Sequence, residues 1–341
     1  MRLRSSLSLL GSLCLLSAGC GEGLETEPTD VAAEAPAEAL ASQEQAAVST
    51  SGFTSHFRSW LSANGYDAYN LVRTDLAGGS YGGKASSTDT VVNQPVIFIH
   101  GNSDKAVGTG TVGQTGWNAS IEFFQSKGYK TSELYATTWG PADASMSAYQ
   151  YHSKTYVMKV RKMIEAVKAY TGAAKVDVIA HSMGVTLARK AILGGYATDA
   201  LEGGQYYIGP PLTASVDTFV GIAGANRGLT SCFQTGGSTP TCASTNGLYP
   251  GYWNGVGVSG RSSFLENLYS SSKYEGAYRY SIFSTADEVI GYNGVVYYEY
   301  TSRIPGQTGE KVYSGYPYGH FNSKDLTGAV QHSMVKSHII P

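Results

Sequence analysis

The stretch Lys175-Val176-Asp177-Val178-Ile179-Ala180-His181-Ser182-Met183-Gly184-Val185-Thr186-Leu187-Ala188-Arg189-Lys190 decides the fold. An apolar run of strand length breaks into small residues around Ser182 and resumes at helical spacing, which predicts a strand, a sharp turn and a helix. A serine at such a turn stands clear of the sheet edge on a strained backbone. The N–H of the next residue, Met183, then points into the space where an oxyanion would form. The turn pattern is small-x-Ser-x-small, with Ala180 in place of the first glycine and Gly184 as the second. Small residues are needed because strand and helix pass close beside the serine. Ala180 to Gly184 alone is a weak signal, and the flanking strand and helix give it weight.

Working outward, Pro95-Val96-Ile97-Phe98-Ile99 is a continuous apolar run ending in the glycine turn His100-Gly101-Asn102, as expected of a buried parallel strand. Trp117, Ile121 and Phe124 share one helical face, and Gly128 supplies a stop. Glu133 to Trp139 reads as another strand. The best helix runs from about Lys154 to Tyr170. Tyr156, Val157, Val160, Ile164, Val167 and Tyr170 form its core-facing stripe, with lysines and Arg161 opposite. Downstream, Val216 to Ala223 and Tyr280 to Ala286 are strands, Val295 to Tyr300 a hairpin arm, and Lys324 to about Ile339 a helix. Strands alternating with helices predict an α/β protein with a mostly parallel central sheet and helices on both faces. Two stretches lack regular pattern. Gly78 to Lys84 reads as a glycine-rich surface loop, and Gly224 to about Gly260 as a long excursion of the kind that carries function or moves.

The chain has 341 residues, 42% hydrophobic and 15% charged, enough for one sizeable α/β core. Its N-terminus, Met-Arg-Leu-Arg followed by the apolar run Leu7 to Leu16 and by Ser17-Ala18-Gly19-Cys20, reads as an export signal over residues 1–20. Cys20 also fits a bacterial lipobox, in which it would be acylated and tether the protein to a membrane. A plain signal peptide with an incidental cysteine is the other reading. Residues 21–52 hold seven acids between Glu22 and Glu44 and read as a flexible acidic linker, which leaves 53–341 as the folded domain. Without those acids and the two leader arginines, 22 basic residues face 19 acidic ones, so no basic patch argues for nucleic acid. The expected location is outside the cytoplasm, secreted or held at a bacterial outer membrane. The expected state is a monomer. Cys232 and Cys242, the two cysteines beyond the leader, are most simply a disulfide in an exported protein, and it would contribute about 2–3 kcal/mol.

A serine hydroxyl becomes a useful nucleophile only with a base to take its proton and a carboxylate to orient that base. In this architecture the partners follow in the order serine, acid, histidine. His320, His332 and His338 follow the serine helix, and only His320 lies in a loop, so His320 is the candidate base. Asp287, directly after a strand, is the candidate acid, with Glu288 its nearest rival. The backbone N–H groups of Asn102 and Met183 are the candidate oxyanion donors. His100 and His181 receive no chemical role, and no metal or cofactor motif is present.

The blocks Gln94 to Asn102, Glu133 to Gly140, Ala169 to Gly172, Val176 to Gly184, Ala188 to Gly195, Gly209 to Thr213 and Ala223 to Gly228 resemble the class 2 lipase family of the α/β-hydrolase fold. The cysteine loop and Tyr318-Gly319-His320-Phe321 also resemble extracellular poly(3-hydroxybutyrate) depolymerases related to those lipases. The resemblance implies Ser182 as nucleophile, Asp287 as acid, His320 as base, and Asn102 and Met183 as oxyanion donors. It also implies a Tyr-x-Tyr substrate contact at Tyr149 and Tyr151. The tyrosine- and tryptophan-rich run holding Tyr252 and Trp253 suits an insoluble or amphipathic ester. The expectation is therefore an ester hydrolase, lipase first and polyester depolymerase second. A catalytically inactive, surface-binding hydrolase fold is the competing class.

Overall fold

The computed structural model describes residues 52–341, so the readings of an export signal, of Cys20 as a lipid anchor and of the linker up to residue 51 lie outside the described residues. The strands are β1 (Ser80–Tyr81), β2 (Val96–Ile99), β3 (Leu134–Thr137), β4 (Val176–His181), β5 (Gly195–Asp199), β6 (Gly204–Gly209), β7 (Val216–Ile222), β8 (Tyr252–Trp253), β9 (Val258–Ser259), β10 (Tyr278–Ser284), β11 (Val295–Val296), β12 (Glu299–Tyr300) and β13 (Gly309–Tyr313). The α-helices are α1 (Ser55–Ala63), α2 (Asn118–Ser126), α3 (Lys154–Thr171), α4 (Met183–Leu193), α5 (Cys232–Thr235), α6 (Ser263–Tyr269), α7 (Asn322–Asp325) and α8 (Gly328–Ser337).

Seven strands form the central sheet in the order β1-β3-β2-β4-β7-β10-β13, parallel except for β1. The central strands are buried along their whole length, which is why β2 and β4 read as unbroken apolar runs. Alternate side chains enter opposite cores. Ile97, Ile99, Val178 and Ala180 pack against α1, α3, α4 and α6, whereas Val96, Phe98 and Ile179 meet Trp117, Ile121 and Phe124 of the α2 region and Met334 of α8. The chain runs from β2 to β3 on one side and returns to β4 on the other. The carboxyl ends of β2 and β4 therefore flank a topological switch point, where open α/β sheets place their ligands.

Several expectations need correction. Gly78 to Lys84 is not a surface loop: Ser80 and Tyr81 are buried, and they form β1 along β3. Its glycines are there for close approach, since a Cβ on Gly82 would stand 2.3 Å from Leu134 O. Arg161 is buried rather than exposed. Its Nη1 donates to Ala191 O (3.0 Å) and its Nε lies 2.7 Å from Glu165, because the hairpin of β5 and β6, absent from the sequence reading, lies against α3. The final helix is broken into α7 and α8, and His338 lies beyond its end, stacked on Tyr278. Strand β13, also unread, closes one edge of the sheet. Lys311 within it reaches Pro341 O (2.6 Å), and Ile340 sits against Gly309. The opposite edge is covered where Phe53 bridges Gly82. Cys232 and Cys242 are joined as a disulfide.

Candidate active site

Strand β4 delivers Ser182 into its turn with φ +53° and ψ −128°, a backbone that a non-glycine residue rarely adopts. The turn holds because Ser182 N–H donates to Ile222 O of β7 (2.8 Å) while α4 begins at the next residue. Close approach explains the glycines on either side. A Cβ on Gly184 would lie 2.3 Å from His100 O and 2.7 Å from Ile99 O, and one on Gly101 would lie 2.9 Å from Ser182 Cβ. Ala180 is buried without such a conflict, so the one-methyl departure from the glycine pattern is harmless.

His320 lies in the loop before α7. Its Nδ1 donates to Asp287 Oδ2 at 2.7 Å, with both side chains almost fully buried. Asp287 Oδ1 accepts from Val289 N–H (3.0 Å) and Ile290 N–H (2.8 Å), so the carboxylate both caps a turn and holds the imidazole. With its proton on Nδ1, His320 keeps Nε2 as a free acceptor. Glu288 touches no ring atom and instead accepts the backbone N–H of His320 (2.8 Å). His320 O lies 3.1 Å from His181 Nε2, which donates to it. Burial pushes the His181 imidazole well below its ordinary pKa and keeps it neutral.

Ser182, His320, Asn102 and Met183 line one cleft of about 270 Å³. Among the described residues Ser182 Oγ makes no hydrogen bond, a state usual before substrate draws serine and histidine together. The N–H groups of Asn102 and Met183 are likewise unspent within the described residues. The loop carrying Asn102 is braced twice. Asn102 Nδ2 donates to Ser147 O (2.8 Å), and His100, stacked on Trp139, accepts Trp139 N–H at Nε2 (2.9 Å), which places its proton on Nδ1 facing Gly101 O (2.6 Å). That bond fixes the Gly101–Asn102 peptide plane and so aims the Asn102 N–H. Burial pushes the His100 pKa down to about 3, which keeps this tautomer neutral.

The remaining walls are Leu229 and Leu248 from the excursion and Val289 after Asp287, none of them legible from motifs, together with Phe321 of the block that carries His320. Cys232, Cys242 and Leu248 are buried in the core below α3 and α4, so the part of the excursion that lines the cleft is anchored there. Tyr149, Tyr151, Tyr252 and Trp253 do not line the cleft. Tyr149 is exposed at the end of the turn Ala144–Tyr149, and Tyr151 sits beside Asp199. Tyr252 is exposed on β8, and Trp253 borders a separate hollow with Arg227, Arg261 and Tyr297. Among the described residues no group of histidine, cysteine and acidic side chains could hold a metal ion, and no helix is long and apolar enough to cross a membrane.

A mostly parallel sheet with a serine on a strand-to-helix turn and an aspartate–histidine pair reaching over its carboxyl edge defines an α/β hydrolase of the lipase and esterase type. The chain belongs to the class 2 lipase family, whose model matches residues 93–333. A search of curated proteins finds no match. Among solved structures, Aspergillus fumigatus lipase B is similar at 15% identity and TM-score 0.49, over 80% of this chain and 59% of that one. One of the metagenome-derived lipolytic enzymes LipS and LipT is similar at 13% identity and TM-score 0.47, over 77% of this chain and 99% of that one. The mature form of Bacillus licheniformis lipase BlEst2 is similar at 13% identity and TM-score 0.44, over 76% and 99%.

Proposed function

We propose that this protein hydrolyses carboxylic esters of apolar acids, with Ser182 as nucleophile, His320 as base and Asp287 as the carboxylate that orients it. The observation that carries this reading is the meeting of the Asp287–His320 pair with Ser182 at a single cleft. Ser182 Oγ attacks the ester carbonyl while His320 Nε2 takes its proton. The tetrahedral oxyanion accepts hydrogen bonds from the N–H groups of Met183 and Asn102. His320 then protonates the departing alcohol, and water, activated by the same nitrogen, releases the acid from Ser182. Asp287 stabilises the imidazolium formed on the way. Each oxyanion donor supplies about 3–4 kcal/mol of transition-state stabilisation.

Leu229, Leu248, Val289 and Phe321 give the cleft apolar walls, and Val112 stands exposed at its rim. These features favour a lipid-like ester over a charged one. The cleft is slightly smaller than the roughly 300–1,000 Å³ of pockets that enclose a whole drug-sized ligand, which suits an acyl group inside and the alcohol portion outside. Export, with or without acylation of Cys20, completes the proposal. Ser182→Ala should abolish turnover of p-nitrophenyl butyrate while leaving the circular dichroism spectrum unchanged. Retained hydrolysis would remove Ser182 from the mechanism.

A further inference from the structure

His320 is gripped at three points by two segments, the Asp287-Glu288 pair after β10 and His181 at the end of β4. Its ring is held by Asp287, its carbonyl by His181, and its backbone N–H by the Glu288 carboxylate at 2.8 Å. The first two partners are buried, but Glu288 is exposed, and an exposed acid contributes little to the core. The residue before the histidine adds a second observation. A Cβ on Gly319 would lie 2.3 Å from Glu288 Oε2 and 3.0 Å from its Cδ, although the Gly319 backbone does not require glycine. Glycine is therefore needed there to let the carboxylate reach the amide. Ser284 Oγ, donating to Tyr318 O (2.8 Å), ties the same loop to β10, so hydrogen bonds from two sides fix the loop that carries the ring.

Resting on the ester-hydrolase reading, we propose that Glu288 is a positioning residue for His320. It holds the histidine backbone so that Nε2 meets Ser182 Oγ, and Gly319 is the gap through which it does so. Glu288 touches neither substrate nor the reacting atoms. Its effect passes through the angle at which the imidazole leaves the loop, and displacement of a reacting group by about 1 Å costs roughly 10²-fold in rate. The simpler alternative is a purely structural tie between two loops, which would change stability and leave turnover alone.

The test is steady-state hydrolysis of p-nitrophenyl butyrate by the full chain with Glu288→Ala, Glu288→Gln, Gly319→Ala and the Gly319→Ala/Glu288→Ala pair, with thermal midpoints measured in parallel. Glu288→Ala should lower kcat about ten-fold or more with KM nearly unchanged. Glu288→Gln keeps an acceptor oxygen and should recover most of that loss. Gly319→Ala should reproduce Glu288→Ala, because its methyl displaces the end of a flexible side chain without touching the core. The double variant should be no slower than the worse single one, as expected when both changes break one contact. Wild-type kcat in Glu288→Ala, multiplying effects in the double variant, or a kcat loss that only follows loss of folded protein would overturn the proposal. The Ser182→Ala experiment tests the underlying reading separately: if Ser182→Ala stays active, the reading fails whatever Glu288 does.

Discussion

Adding one methyl group at Gly184 should cripple the proposed chemistry while leaving every candidate reacting side chain in place. The methyl would stand 2.3 Å from His100 O and 2.7 Å from Ile99 O, where ordinary contact begins near 3.4 Å. Both obstacles are backbone atoms at the end of β2, a central strand, so no side chain can swing aside. Helix α4 must move away from β2 by about 1 Å. Met183 N–H rides on the first residue of α4 and Asn102 N–H on the loop after β2, so the same movement widens the gap between the two oxyanion donors. Overpacking of this kind costs roughly 1–3 kcal/mol of stability. A 1 Å misplacement of a transition-state contact costs about 10²-fold in rate. Gly184→Ala should therefore lose about two orders of magnitude in kcat for p-nitrophenyl butyrate, out of proportion to a modest fall in urea resistance. Ala180→Gly, on the strand side of Ser182, is the control: it should cost about 1 kcal/mol of stability and little activity. Near-normal turnover by folded Gly184→Ala would show that the helix–strand spacing does not set the donor geometry.

Asp287→Asn should lower kcat on the order of 10³–10⁴-fold with the fold retained. The amide oxygen can still accept from Val289 and Ile290 N–H, but the NH₂ group then faces His320 Nδ1 and forces the proton to the wrong nitrogen. A variant within ten-fold of wild type, checked by the same ester assay, would displace Asp287 in favour of another acid. Stability should fall on mild acidification. Burial pushes His100 and His152 down to about 3 and lowers His181 strongly, so below pH 6.5 the unfolded chain binds protons that the folded one refuses. Asp177, pushed up to about 7 by burial, acts in the opposite sense between pH 7 and 4. These three histidines, joined by His332, which burial also lowers, outweigh the one carboxyl and leave a net loss of about 2–3 kcal/mol per pH unit. Urea unfolding at pH 6.0 and 5.0 measures it, Asp177→Asn should steepen the slope, and a flat profile would refute the balance.

The elements legible in the sequence are those whose burial pattern is uniform. Strands β2 and β4 are buried on both faces, so their apolar runs announce them, and α3 carries a continuous stripe. The turn at Ser182 was legible because it imposes small residues, and Asp287 and His320, which the fold brings into hydrogen-bond contact, stood out as candidates because chain order narrows the choice. What escaped was decided by tertiary packing. Strand β13, Gly-Glu-Lys-Val-Tyr, is too polar to announce a strand, and β1 is too short to show a period. Arg161 read as solvent-facing because the hairpin that buries it alternates weakly and carries glycines at its ends. The cleft walls Leu229 and Leu248 lie in an irregular stretch where position, not spacing, gives them meaning. Tyr149 and Tyr151 matched a pattern of residue types; they lie outside the cleft lining, with Tyr149 exposed two residues beyond the lining residue Ser147.

The two margins of the sheet have a bearing on how the molecules behave together. An open strand margin offers unpaired amides and carbonyls on which a neighbouring copy could extend the sheet. Here one margin ends in a two-residue antiparallel strand shielded by Phe53. The other carries the Arg303–Glu310 ion pair and Lys311, whose ammonium reaches Pro341 O. Copies crowded together at high local concentration therefore meet a shielded margin on one side and charged side chains on the other, which works against strand-by-strand aggregation.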